Sequence, residues 1–216
     1  IVSLTTLMFV GCVPKKAEEN KQLIMDLQKS VVNERTAVAF YDSCGNKAQR
    51  DGFIQIAKLF RAIAKSDDIH CKNFTDILVK MGVKPDSTIN AFEIKETKEN
   101  LMVAIANEQN EVDSVYPRLI KNSNDAKMED VKKAYEYAFN CEKQHKELYA
   151  NILKIFNDKV DGKNTNMSSV EIEQLFLPTN YYVCSTDGCF YTDSVMTSKS
   201  KCEMCTNTKD KFIEIK

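Results

Sequence analysis

The chain has no tryptophan, only two histidines, six glycines and four prolines in 216 residues. So few helix breakers leave room for long uninterrupted helices, and two histidines confine any imidazole chemistry to His70 and His145. Neither sign of charge dominates. Thirty basic residues are interspersed with 31 acidic ones for a net charge of −1, so no basic face points to nucleic acid. The length suits one buried core with a small appended unit.

What is present is a repeated pairing. Glu142-Lys143-Gln144-His145 lies in residues 131–155, which have the periodicity of one helix. Residues three apart on a helix share a face, so Glu142 and His145 point the same way. His70 has the same arrangement, with Asp67 three positions before it. Glu34 lies on a helical run at 22–49, and Glu108, followed by Glu111, on another at 101–121. Glu34 to Asp67 is 33 residues and Glu108 to Glu142 is 34. Asp67 to Glu142 and His70 to His145 are both 75, and Glu34 to Glu108 is 74. Two helix pairs, each offering Glu, then an acid, then His, bring six donors around a two-fold axis, with Glu111 as an extra. This is the ligand set of a ferritin-like di-iron four-helix bundle. The competing reading of solvated surface acids explains any one of these residues but not the matched spacing. Glu34 also interrupts an apolar stripe of Leu23, Leu27, Val31, Val38 and Tyr41, a costly place for a carboxylate without a partner. Tyr41 either donates its hydroxyl to such a carboxylate or is a plain core residue.

Gly52 and Gly82 bound a second helix, 53–81, with Ile56, Leu59, Phe60, Ile63, Asp67, His70 and Phe74 on its inner face. The link through Pro85 is expected to cross the bundle, Pro117 to kink the third helix near Asp113, and Asn124 or Asp125 to cap the fourth. Cys44, Cys71 and Cys141 read as small buried hydrophobes, the latter two turned from the ligand face. The polar stretch 158–178 reads as a linker. Beyond it, Cys184-x4-Cys189 and Cys202-x2-Cys205 suit a tetrahedral metal or, in an exported chain, two disulfides, and residues 211–215 alternate as a strand.

Asn33-Glu34-Arg35, Asp67-x-x-His70, Asn107-Glu108-x-x-Glu111 with Tyr116-Pro117 behind it, and Glu142-x-x-His145 resemble the motifs of the rubrerythrin family. The C-terminal cysteine pairs resemble that family's rubredoxin-like tail, and the resemblance runs from about residue 23 to the end. It implies a mainly α protein: a ferritin-like di-iron bundle at 21–157, the linker, and a small rubredoxin-like β domain at 179–216 whose Cys184, Cys189, Cys202 and Cys205 hold one iron, or zinc. It further implies a non-haem di-iron peroxidase that reduces hydrogen peroxide to water and protects against oxidative stress. Electrons would come through the four-cysteine site from an NADH-linked external donor, a rubredoxin or a reductase, and the protein would be a homodimer. Asp67 and Glu142 would bridge two irons, Glu34, Glu108 and Glu111 would be terminal, and His70 and His145 would give one nitrogen each. Glu111 and His70 match the pair that the family exchanges on oxidation, and Tyr41 and Tyr116 its supporting tyrosines. Two departures stand out. Asp67 replaces the family's glutamate, and the first cysteine pair encloses four residues instead of two, with Gly188 before Cys189 and not after it. Ferritin-like iron storage, or a metal-buffering protein with a structural zinc tail, are the alternative functions.

The apolar residues 1–11 followed by Cys12 resemble the end of a bacterial lipoprotein signal, lacking its basic start. Residues 1–20 are then a truncated signal and tether, Cys12 the lipidated residue, and the protein exported and membrane-anchored. An ordinary secretory signal, a short buried strand and a cytoplasmic location are the alternatives.

Overall fold

The computed structural model describes residues 15–160, 168–196 and 200–216. Its first helix, α1 (Lys15–Arg50), runs for 36 residues, roughly 54 Å at 1.5 Å per residue. It therefore begins inside the stretch expected to be a tether; Cys12 and the proposed signal lie outside the described residues. Gly52, at φ 87°, turns the chain into α2 (Ile54–Lys80), and Gly82, at φ 74°, closes that helix. The inner face anticipated for α2 is buried throughout, from Ile56 to Phe74.

The link that follows runs along α1. Gln28 donates to the Lys84 carbonyl and accepts from the Asp86 amide, both at 2.8 Å, and Thr36 accepts from Asn90 N–H at 3.0 Å. Further on, Phe92 stands edge-on to Phe40, and Lys47 pairs with Glu96 at 2.7 Å. The link thus reaches the far end of α1 before α3 (Thr97–Asn110) begins, as the single long crossover of a ferritin-like bundle requires. The third bundle helix is α3, a π-helical turn (Glu111–Val115) and α4 (Tyr116–Asp125) in series. Pro117 has no N–H to return to the preceding turn, and the expected kink takes the form of this π turn. The fourth is α5 (Glu129–Ile155). Its N-cap is Met128, not Asn124 or Asp125: Asp125 closes α4 and pairs with Lys121, and Lys127 reverses the chain at φ 56°.

The expected linker is partly helical. A π turn (Phe156–Val160) extends α5, and α6 (Ser169–Phe176) opens with a capping box in which Ser168 and Glu171 satisfy each other's amides. Buried Glu173 on α6 accepts hydrogen bonds from Gln55 and Ile56 N–H, both at 3.1 Å, and so caps α2, which lacks a side-chain cap of its own. The tail is a small antiparallel sheet in the order β2-β1-β3, from β1 (Tyr181–Cys184), β2 (Phe190–Thr192) and β3 (Phe212–Ile215), with a short α7 (Asp193–Met196) after β2. Tyr181, Val183 and Phe190 share one apolar cluster with Phe60, Ile63 and Tyr149, which fixes the sheet on the bundle. A second cluster, around Leu27, Val31, Phe74 and Tyr135, fills the other end. Among the described residues no helix is long and apolar enough to cross a membrane.

Candidate metal centre

Between the two apolar clusters the four bundle helices turn carboxylates and imidazoles inward. Glu34, Asp67, His70, Glu108, Glu142 and His145 are each at least 96% buried. Donor atoms of Glu34, Asp67, His70 and Glu142 all lie within 4.8 Å of one another, and so do those of Glu108, Glu142 and His145. Glu142 belongs to both groups. Its Oε1 is 3.2 Å from His70 Nδ1 and its Oε2 is 2.8 Å from His145 Nδ1. Asp67 Oδ1 stands midway, 3.9 and 3.8 Å from the same two nitrogens, so the shorter acid still reaches the centre. Glu34 lies 3.8 Å from His70 and Glu108 lies 3.8 Å from His145. The two-fold arrangement inferred from spacing is present in space.

The remaining polar atoms are arranged around this pattern. Tyr41 donates to Glu108 Oε1 at 2.6 Å, and Tyr116 donates to Glu34 Oε1. Each tyrosine thus crosses to the opposite half of the repeat and holds one oxygen of a carboxylate, leaving the other to face the centre. Asp67 Oδ1, His70 Nδ1, Glu108 Oε2 and Glu142 Oε1 are buried there without a hydrogen bond. Buried carboxylate oxygens whose nearest partners are imidazole nitrogens at 3.2–3.9 Å are costly unless a cation engages them, so the residues fit a pair of metal ions. Burial and then neighbouring carboxylates raise Asp67 and Glu142 well above the usual range. Burial also works to raise Glu108, but contacts with His145, Glu142 and Tyr41 hold it low. Burial opposes the charged form of His70, yet Cys141, Glu142 and Glu34 together raise it well above an ordinary histidine. Without metal the site retains protons; metal binding must expel them.

Glu111 belongs to neither donor group. It sits half-buried on the π turn, where it lines a cavity of about 400 Å³ shared with Asn33, Phe40, Asp67 and Glu108. Its lining runs between α1 and α3, from Asp67 and Glu108 at the centre to exposed Asn107 and Asn110.

The tail's cysteines converge beside the same centre. Cys184 and Cys205 sulfurs are 3.5 Å apart, and Tyr191 donates to Cys202 Sγ at 3.5 Å. The four described cysteines of the tail are free, so the disulfide reading does not hold in this structure. Ser66 on α2 donates to the Gly188 carbonyl at 2.7 Å, and His70 Nε2 lies 3.2 Å from the Asp187 carbonyl. The cysteine loop therefore rests on the back of a histidine whose Nδ1 faces the carboxylates.

The family model for rubrerythrin matches residues 26–153, more than half of the chain and all of the inward donors. This chain belongs to the rubrerythrin family. Rubrerythrin-2 of Clostridium acetobutylicum is 27% identical over 188 residues, covering 86% of this chain and 92% of that protein. Rubrerythrin of Porphyromonas gingivalis is 24% identical over 198 residues, covering 89% and 90%. Among solved structures, fully reduced, all-ferrous nigerythrin superposes with a TM-score of 0.72 at 22% identity, covering 89% of this chain and 86% of that one. A bacterioferritin from Rhodobacter capsulatus gives 0.62 at 14% identity over 73% and 94%. At these identities the structures establish the fold, a ferritin-like bundle.

Two features of this rubrerythrin-family chain escaped the sequence. Cys141 is fully buried and does turn from the carboxylates, but its sulfur also lies 3.2 Å from Cys189 Sγ and 3.2 Å from the Asp187 carbonyl. Asp187, fully buried, stands among the tail thiols with Oδ2 3.0 Å from Cys202 Sγ. No signal in the bundle's periodicity marks Cys141. Asp187 was legible only as the residue three after Cys184 and just before Gly188. Cys44 is a buried core residue as expected, and Cys71 contacts the Val31 carbonyl at 3.8 Å.

Proposed function

We propose that this protein is a di-iron peroxidase that reduces hydrogen peroxide to water, with electrons entering through the metal of the cysteine tail. The observation that carries the reading is the pair of donor groups sharing Glu142, with the cysteine loop packed against His70. In it Glu142 and Asp67 would serve both irons, Glu34 and Glu108 one each, and His70 and His145 would each offer Nδ1. Two ferrous ions, when bound there, would supply the electrons for peroxide reduction. The chain's own residues do the rest. Tyr41 and Tyr116 fix the terminal carboxylates so that each presents a single free oxygen. Glu111, which lines the 400 Å³ cavity, would accept or release protons as peroxide enters and water leaves, and would approach the His70 side when the oxidation state changes. The apolar walls of Phe40 and Val103 limit bulk water.

Partners are proposed on the same footing: peroxide as substrate, a rubredoxin or an NADH-linked reductase as donor, and a second copy of the chain as a homodimer. Location at a membrane through lipidated Cys12 is proposed from sequence alone. Fractionation of cells expressing the chain with its signal tests it: Cys12→Ser leaves an uncleaved precursor, whereas a soluble mature form beginning elsewhere refutes the anchor. For the chemistry, peroxide consumption by anaerobically iron-loaded protein with a reductase and NADH is the test. Uptake of iron far beyond the site's capacity, without peroxide turnover, would favour storage.

A further inference from the structure

The loop of the first cysteine pair contains no insertion. Cys184 ends β1, its amide bonds the Cys189 carbonyl at 2.8 Å, and Gly188 N–H returns to the Cys184 carbonyl at 3.0 Å. Counting along this turn, the residue three after Cys184 and directly before a glycine is Asp187, the position where the family resemblance puts the second cysteine. Gly188 has the positive φ, 80°, that such a turn needs. The donor atoms agree. Those of Cys184, Asp187, Cys202 and Cys205 all lie within 4.8 Å of one another, and Cys189 is not in that group. The Asp187 carboxylate accepts from Cys189 N–H at 2.9 Å through Oδ1 and faces Cys202 through Oδ2. Among the described residues no positive side chain contacts this carboxylate, and a divalent metal would stabilise it among the thiols.

We propose that the tail metal is held by Cys184, Asp187, Cys202 and Cys205, and that Cys189, relieved of that role, forms with Cys141 a dithiol that closes reversibly to a disulfide. The first part rests on the reading of the tail as a metal site; the second is carried by the sulfur contact itself. Cys141 belongs to α5, next to Glu142, so the pair spans bundle and tail. A separation of 3.2 Å must shorten by about 1.2 Å to reach a disulfide bond length. Closure breaks two S–H bonds and forms one S–S bond. The two electrons and two protons released pass to hydrogen peroxide, whose O–O bond breaks to give two waters. One dithiol therefore supplies the electrons for one peroxide.

Cobalt(II) titration of the full metal-free chain tests the ligand set, because only cobalt bound to thiolate gives the intense sulfur-to-metal absorption and a carboxylate–histidine site does not. Cys189→Ser is expected to keep the full intensity. Asp187→Ala should weaken cobalt–thiolate binding at least tenfold. Asp187→Cys should restore it with intensity raised by about one third, four thiolates in place of three. Loss of intensity in Cys189→Ser with none in Asp187→Ala overturns the assignment, and absence of the band in the unsubstituted protein overturns the metal reading itself. If Asp187→Ala does not fold, the other two variants still decide. For the dithiol, one equivalent of hydrogen peroxide given to the zinc-loaded chain, in which no ferrous ion competes for it, followed by peptide mass mapping should show a Cys141–Cys189 disulfide that dithiothreitol reopens. Free Cys141 and Cys189 after that treatment, or a disulfide between other cysteines, refutes the pair.

Discussion

Gly188→Ala probes how firmly the cysteine loop is seated on the bundle. A Cβ at this position would lie 2.6 Å from His70 Nε2 and 2.9 Å from Ser66 Oγ, and the backbone is held at φ 80°. Alanine in the left-handed region costs about 1 kcal/mol. Pushing the loop away also disrupts the Ser66 bond to the Gly188 carbonyl and the His70 contact with the Asp187 carbonyl, about 1 kcal/mol each. The expected loss is about 3 kcal/mol, or a melting temperature lower by about 6–12 °C in a chain of this size. Gly82→Ala is the internal control: its φ is 74° but its Cβ would meet nothing within 4 Å, so it bears only the backbone strain. Calorimetry of both variants isolates the docking contribution as their difference, about 2 kcal/mol. Hydrogen exchange should accelerate in β1 and β2 of Gly188→Ala and not in Gly82→Ala. Equal destabilisation of the two variants would refute the seating of the loop on His70.

Removing the cap that α6 provides for α2, by Glu173→Ala, leaves two helix-end amides unpaired and should cost about 2 kcal/mol by denaturant titration; an unchanged midpoint would mean the contact is not kept in solution. Tyr41→Phe frees one oxygen of Glu108 and should weaken metal binding about tenfold in chelator competition, with Tyr116→Phe doing the same through Glu34. Asp67, Glu111 and Glu142 have raised folded values, so the stability they lend the metal-free protein is complete below the unfolded carboxylate range and is lost as pH rises through those raised values. His70, also raised, acts in the same direction, and Glu108, lowered, opposes it. The metal-free protein should therefore melt progressively lower as pH rises above the unfolded carboxylate range, while stabilisation by added zinc grows over the same interval, and parallel curves would contradict this.

The bundle donors were legible because each sits on a regular helix, where a three-residue spacing fixes direction and a repeat near 75 residues fixes pairing. Glu34 could be singled out because a carboxylate on an apolar stripe needs a partner; the structure supplies Tyr116 and the centre itself. What periodicity could not show depends on contacts between distant segments. Glu173 finds amides 117 and 118 residues away, turning part of an expected linker into a capped helix. Cys141 meets Cys189 only because the tail folds back over α5. Asn124 and Asp125 both offered a good cap for the fourth helix, and nothing local disclosed that α4 would consume them and leave Met128 to start α5. The cysteine spacing alone could not disclose that the Asp187 carboxylate folds in among the tail thiols.

The central claim is that one bundle site, organised on Glu142, holds two irons and spends their electrons on peroxide. Anaerobic single-turnover oxidation of the ferrous protein, with iron counted before mixing, tests it most directly when unsubstituted protein and Glu142→Ala are compared. The account predicts two bundle irons oxidised faster by peroxide than by dioxygen, and in Glu142→Ala the loss of at least one iron together with the peroxide reaction. Full iron content and undiminished peroxide oxidation in Glu142→Ala would contradict it.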